Sequence, residues 1–364
     1  METIKVLVVD DTIVYRKIVS DVFKEFPEVE VVGTATNGKI ALSRIASLKP
    51  DLVTLDIEMP EMSGIEVLEH LQTMPDAPTV VMLSTLTSKG SEMTVKALEL
   101  GAFDFIPKPD SGRMAENTLK VRETVGPILK AFQRQREIRT RLKGNRSVRR
   151  KTSPLKPSIS PPRAPLTRKR TTFSEIVGIG ISTGGPNALA KMMPLLSPRL
   201  NVPILVVQHM PPMFTRSLAK SLNGKCSLEV KEAINGESIL PNTAYIAPGG
   251  KQMKITAGAD GLSRIIKITD DPPENSCKPS VDYLFRSIAE HYVGRATGVI
   301  MTGMGSDGTK GLAQMKQNGS IIIAQDKASC TVYGMPKEPI ESGLTDVIAP
   351  LDRLAAEITK TVVR

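Results

Sequence analysis

The chain contains no tryptophan, and aromatic residues make up only 4% of its 364 positions. So few rings leave little for stacking on nucleobases, which argues against single-stranded nucleic acid as the main ligand. Its three cysteines, Cys226, Cys277 and Cys330, stand far apart with no CxxC pair. That spacing argues against a disulfide framework or a zinc site and fits reduced thiols in the cytoplasm. No apolar run approaches the roughly 20 residues of a membrane span. The N-terminal Met1-Glu2-Thr3-Ile4-Lys5-Val6 enters a strand pattern without the zones of a signal peptide. A cytoplasmic protein with no membrane insertion is expected.

Charge is present in excess, +10 overall, but it is confined. Between Arg134 and Arg170 stand 14 Lys and Arg against the single acid Glu137, leaving 34 bases and 37 acids elsewhere, a net of −3. A basic strap joins two nearly neutral units, so no nucleic-acid partner is expected.

From Ile4 to about Pro109 short apolar runs alternate with amphipathic segments, giving five strand signals separated by helices. Ile4-Lys5-Val6-Leu7-Val8-Val9, Leu52-Val53-Thr54-Leu55 and Thr79-Val80-Val81-Met82-Leu83 are the clearest. Such alternation predicts an open parallel sheet covered on both faces. Met114 to about Arg141 reads as helix, and the Arg, Lys, Ser and Pro of 143–169 as a flexible linker. Strand-like alternation resumes at Ile176, with Glu229-Val230-Lys231, Lys254-Ile255-Thr256 and Ile265-Ile266-Lys267-Ile268 suggesting an inserted antiparallel hairpin. The fold class is therefore α/β, two doubly wound parallel-sheet domains. The division is a first domain over 1–120, a helical extension and linker over 121–172, and a second domain over 173–364.

In such sheets ligands bind beyond the carboxyl ends of the strands, near the point where strand order reverses. Asp10 and Asp11 follow strand one, Asp56 strand three, Ser84 strand four and Lys108 strand five. Asp10-Asp11 after a strand is often a helix N-cap, and Asp56 or Ser84 alone is a turn residue more often than a site. Together they predict three crowded carboxylates that favour a hard cation, Mg²⁺, and an aspartate that accepts a phosphoryl group.

In the second unit, Gly180-Ile181-Ser182-Thr183-Gly184-Gly185-Pro186 follows a strand and precedes a helix. The pattern matches a nucleophile elbow, although the same turn could cradle a phosphate or be structural. His209 ends the next strand, whereas His70 and His291 fall within helical patterns. Asp307 lies in the glycine-marked turn after the strand Val299 to Met301, with Asp282 and Asp326 as competing acids. Serine, histidine and aspartate at one sheet edge predict nucleophilic hydrolysis.

Val8-Val9-Asp10-Asp11, Thr54-Leu55-Asp56-Ile57-Glu58-Met59-Pro60, Ser63-Gly64 and Lys108-Pro109 resemble the receiver domain of bacterial response regulators. Gly180 to Gly185, Gln208-His209-Met210-Pro211, Ala244 to Gly249, Pro279-Ser280-Val281-Asp282, Thr302 to Gly308 and Tyr333-Gly334-Met335-Pro336 resemble the chemotaxis receptor protein-glutamate methylesterases. The resemblance implies a flavodoxin-like receiver followed by a Rossmann-like three-layer esterase domain. It implies Asp56 as phospho-acceptor, Asp10, Asp11 and Asp56 around Mg²⁺, and Ser84, Phe105 and Lys108 as switch residues. It implies Ser182, His209 and Asp307 as catalytic residues, with the backbone at Thr183 or Met304 as oxyanion support and no cofactor for hydrolysis. The implied phosphodonor is a histidine kinase, and the implied substrate is the methylated cytoplasmic helices of chemoreceptors, whose glutamines relatives also deamidate. Many relatives carry a basic pair and a histidine near the loops reading Gly249-Gly250-Lys251 and Ser276-Cys277-Lys278, which puts receptor preference at issue. A phosphorylation-controlled binding protein is the alternative; a transcriptional regulator lacks its helix-turn-helix.

Overall fold

The computed structural model describes residues 3–109, 114–148 and 173–362. The proposed linker of 143–169 falls mostly outside them.

In the first unit the strands are β1 (Ile4–Val9), β2 (Val29–Ala35), β3 (Leu52–Asp56), β4 (Thr79–Thr85) and β5 (Asp104–Lys108). They pair in parallel in the order β2-β1-β3-β4-β5. Helices α1 (Ile13–Lys24), α2 (Gly38–Leu48), α3 (Gly64–Gln72) and α4 (Ser88–Glu99) cross between them. Strand β3 is buried throughout, as a central parallel strand covered on both faces must be. Strand order reverses between β1 and β3, so Asp10 and Asp56 meet at the switch point. Helix α3 starts on a capping box, Ser63 receiving the Glu66 N–H while the Glu66 carboxylate accepts from the Ser63 backbone. Helix α5 (Met114–Val148) packs first against α1, burying Val121, Val125, Ile128, Leu129 and Phe132 with Ile18, Val22 and Phe23 of this unit, and then runs past Arg141.

The second unit comprises β6 (Ile176–Ile181), α6 (Gly185–Met192), β7 (Ile204–Gln208), α7 (Phe214–Asn223), β8 (Glu229–Glu232), β9 (Thr243–Ile246), β10 (Gln252–Ala257), β11 (Arg264–Thr269), α8 (Val281–His291), β12 (Ala296–Ile300), α9 (Thr309–Gln317), β13 (Ile321–Gln325), α10 (Lys337–Glu341), β14 (Val347–Ala349) and α11 (Leu351–Val362). Seven strands form a parallel sheet in the order β14-β13-β12-β6-β7-β9-β8, and β10 pairs antiparallel with β11. The hairpin expected from sequence is thus present, but Glu229-Val230-Lys231 is not part of it. Its Val230 side chain is buried at the sheet edge, and the segment pairs in parallel with β9 instead.

The chain winds from β6 to β7 and β9 on one side and returns through β12 and β13 on the other. The switch point of this sheet lies between β6 and β12. Apolar side chains pack on each face of the sheet, Ile179, Val206 and Val299 on one and Leu205, Val281 and Ile300 on the other. Among the described residues no helix is long and apolar enough to cross a membrane.

Candidate functional site

The first cluster brings together Asp10, Asp11, Asp56 and Lys108. Carboxylate oxygens of Asp10, Asp11 and Asp56 lie within 4.8 Å of one another. Lys108 Nζ bridges Asp10 Oδ2 and Asp56 Oδ2, each at 2.7 Å. The Asp10 Oδ1 accepts from the Thr12 N–H and hydroxyl. Burial pushes the Asp56 carboxyl up from 3.8 to about 6; Lys108 pulls against this while Asp10 and Asp11 add to it. An all-carboxylate donor set with more negative charge than one ammonium can neutralise fits a hard divalent cation such as Mg²⁺.

Ser84 is fully buried and bonds within α4, to the Thr94 hydroxyl and the Gly90 carbonyl, so its hydroxyl is tied to that helix. Phe105, on β5, is not confined to its own unit. Its ring lies 4.5 Å from that of Phe214 at the start of α7.

The second cluster forms at the carboxyl ends of three adjacent strands. Ser182 follows β6 and is held by its N–H to the Thr302 carbonyl and by its carbonyl to the Gln208 amide. The turn into α6 needs Gly184 at φ 77, where a Cβ would also overlap Thr331. His209 follows β7 and is half-buried. Its Nε2 bonds to Asp307 Oδ2 at 2.9 Å, which leaves Nδ1 on the side of the ring away from that carboxylate. Among the described residues no hydrogen bond joins Ser182 Oγ to the ring, and Nδ1 lies 3.7 Å from Cys277 Sγ. Open geometry of this kind is common where substrate completes the arrangement.

Asp307 is buried yet surrounded by donors. Ser280 Oγ, the Asp282 N–H and Asn275 Nδ2 reach Oδ1, and the Val281 N–H reaches Oδ2. Burial alone would raise its pKa, but the His209 bond and charge with these donors hold it down at about 2. Burial works to lower the His209 pKa and is outweighed by its bonds to Asp307 and Cys277, which lift it to about 9. Of the competing acids, Asp326 bonds to Ser329 away from this cluster, while Asp282 receives the Gly311 N–H and shares Asn275 with Asp307. The other histidines stay on α3 and α8, His70 bonding to the Glu66 carbonyl.

Thr183 and Met304 flank the serine turn, and neither backbone N–H donates a bond within the described residues. Asn275, Ser280 and Cys277 were not singled out as site residues by sequence, because only the fold brings their loop to Asp307 and His209. The segment Pro279-Ser280-Val281-Asp282 carried the signal, as a cap before a helix.

The two clusters are joined by a packed contact. The Thr183 hydroxyl bonds to Asp104, Asn187 to the Glu99 carbonyl, Ser217 to Ser91 and Ser221 to Glu99. Met304 and Val332 pack with apolar residues of the first unit.

Residues 177–358 match the CheB methylesterase family, and residues 6–119 the response regulator receiver domain. A relative from Desulfotalea psychrophila, named protein-glutamate methylesterase/protein-glutamine glutaminase, is 57% identical over 370 residues, covering 100% of this chain and 99% of the relative. One of the same name from Bacillus subtilis is 44% identical, covering 99% and 98%. The crystal structure of the Thermotoga maritima CheB methylesterase catalytic domain is similar at 41% identity and a TM-score of 0.50, covering 51% of this chain and 98% of that one.

Proposed function

Because the chain belongs to the CheB methylesterase family, we propose that it is a phosphorylation-controlled hydrolase that demethylates glutamate methyl esters on chemoreceptors and deamidates receptor glutamines. The observation that carries this reading is the His209 Nε2 bond to a buried, donor-saturated Asp307 beside the Ser182 turn. With His209 in its neutral form, Ser182 Oγ attacks the side-chain carbonyl while Nδ1 takes its proton, and the leaving methoxide collects that proton as methanol. Water activated by the same nitrogen then hydrolyses the acyl-enzyme to the free acid. The N–H groups of Thr183 and Met304 support the oxyanion. Asp307 holds the ring in the tautomer that presents Nδ1 as base.

On this reading residues 1–120 regulate, 121–172 connect and 173–364 hydrolyse. Asp56 accepts the phosphoryl group from a histidine kinase of a chemotaxis-type system in the cytoplasm. Asp10, Asp11 and Asp56 hold Mg²⁺, which neutralises phosphoryl charge when bound. Docking of β5 and α4 beside Ser182 restrains access by the receptor helices. Charge at Asp56 reaches this contact through Lys108, Ser84, α4 and Phe105, and releases it.

The experiment is methanol release from a methylated receptor helix fragment, with and without a small-molecule phosphoryl donor plus Mg²⁺. Release should rise with the donor, fail to rise in Asp56→Ala, and vanish in Ser182→Ala. Substantial turnover in Ser182→Ala sinks the nucleophile assignment, and equal rates with and without the donor sink the control.

A further inference from the structure

His209, Asp307 and Cys277 bring nitrogen, oxygen and sulfur atoms within 4.8 Å of one another. The Asp307 oxygens are already engaged by Ser280, Asn275, two backbone amides and His209 Nε2. His209 Nδ1 and Cys277 Sγ share a hydrogen bond at 3.7 Å, and each offers a lone pair once its proton is lost. A tetrahedral zinc ion with bonds of about 2.3 Å to sulfur and about 2.05 Å to nitrogen separates the two ligand atoms by about 3.6 Å. The separation of the pair thus matches the ligand-to-ligand distance that such a cation requires.

Two further features match. A metal-bound histidine commonly gives its second nitrogen to a carboxylate that fixes the ring, and Asp307 occupies that position. The Cys277 loop is also held in place. The Glu274 and Cys277 backbones bond to each other in both directions, and Asn275 is anchored to Asp282 and Asp307. Cys277 is 68 residues from His209 in the chain, so spacing motifs could not expose the pair.

We propose that Cys277 Sγ and His209 Nδ1 form a binding site for a thiophilic divalent cation of the zinc class, and that the bound cation shuts hydrolysis off. The inhibitory half rests on the reading of Nδ1 as the base. A cation on that nitrogen occupies the lone pair that must accept the Ser182 proton. On binding, the thiol proton and the imidazolium proton both pass to solvent, sulfur coordinates as thiolate and Nδ1 as neutral imidazole. The two cation sites of the chain then sort by ligand softness, oxygen-only donors at Asp10, Asp11 and Asp56 for Mg²⁺, sulfur and imidazole here. With two protein ligands the remaining positions fall to water, so the inhibition is reversible.

The test titrates cobalt(II) into the full chain with Mg²⁺ present and a phosphine keeping thiols reduced. A thiolate-to-cobalt charge-transfer band should appear, saturate, disappear on adding zinc, and be absent from Cys277→Ser. Cobalt in the carboxylate cluster produces no such band, because that cluster contains no sulfur. Zinc should inhibit methyl ester hydrolysis, a chelator should restore it, and Cys277→Ser should raise the half-inhibiting zinc concentration at least about 10-fold. No band in the wild type, or a band that survives Cys277→Ser and so comes from Cys226 or Cys330, overturns the site. A zinc-displaced band without inhibition overturns the inhibitory half. A band at Cys277 in a chain with no hydrolysis under any condition keeps the site and overturns the reading of the triad.

Discussion

The hydroxyl of Thr183, the residue after Ser182, donates to the Asp104 carboxylate at 2.9 Å, tying the serine turn to the first residue of β5. Burial pushes the Asp104 carboxyl up from 3.8 to about 6, against the Phe105 N–H and the Thr183 hydroxyl, which pull it down. Burial added by docking favours the neutral acid, while the Thr183 bond across the contact favours the carboxylate. A raised carboxyl pKa contributes stability that is complete below 3.8 and lost as pH rises through about 6. Docking, read as energy transfer between dyes on the two units, should tighten as pH falls through that window. Asp104→Asn, which is permanently neutral, should abolish that dependence. Near neutral pH it should lower donor-free hydrolysis, by a factor bounded at about 100 for a shift of about two units. A higher donor-free rate in Asp104→Asn would contradict this account.

Phe105 and Phe214 form the aromatic part of the same contact, with ring planes 36° apart. Both are buried, so each alanine substitution also weakens its own core, and single variants do not isolate the pair. A double-mutant cycle on the donor-free rate should give a coupling of about 0.5–1.5 kcal/mol. Phe214→Ala alone should raise the donor-free rate toward the phosphorylated one. Strictly additive effects would mean that the rings do not transmit the restraint.

What could be read before the structure was whatever sits immediately after an apolar strand. Asp10, Asp56, Ser182, His209 and Asp307 were legible because a parallel sheet delivers the ends of its strands to one edge. Pairing was less legible. Glu229 to Lys231 has the composition of a hairpin arm, yet the edge of the large sheet takes it, because a short strand carries no signal for its partner. Asn275, Ser280 and Cys277 converge on the imidazole and Asp307 only through the loop before α8. Asp104 and Thr183 meet across 79 positions and two units, a contact that neither periodicity nor a turn motif encodes.

Asn275 Nδ2 bonds at 3.0 Å to both Asp307 Oδ1 and Asp282 Oδ2, standing between two buried carboxylates. Asp282 is held above the usual carboxylate range by burial first, and by the Asp307 charge as well. Asn275→Gly keeps the left-handed backbone at φ 50 while deleting the amide. Loss of a hydrogen bond to a charged group should lower kcat about 10-fold with little change in KM. Asn275→Asp should be worse, since it adds a third negative charge. A KM effect with kcat intact would move Asn275 from positioning the acid to binding the receptor.

Gly303 offers the sharpest test of how tightly the serine must be placed. A Cβ there would come within 2.7 Å of Ser182 Cβ and would overlap the Met335 sulfur. The backbone cannot retreat, because the Gly303 N–H bonds to the Val332 carbonyl and its carbonyl accepts the Met335 N–H, while Thr302 holds the Ser182 N–H. Met335 is a flexible side chain and can yield; Ser182 must then shift or turn. Gly303→Ala should destabilise the second unit by about 1–3 kcal/mol in thermal unfolding, as overpacking does. It should lower ester hydrolysis about 100-fold if the nucleophile moves by about 1 Å. Phosphorylation of Asp56 should be untouched, which separates the effect from misfolding of the whole chain. Adding Met335→Ala relieves the overlap on the methionine side only, so it should recover part of the stability and little of the rate. Recovery of both would mean that Met335, and not the crowding of Ser182, carries the loss.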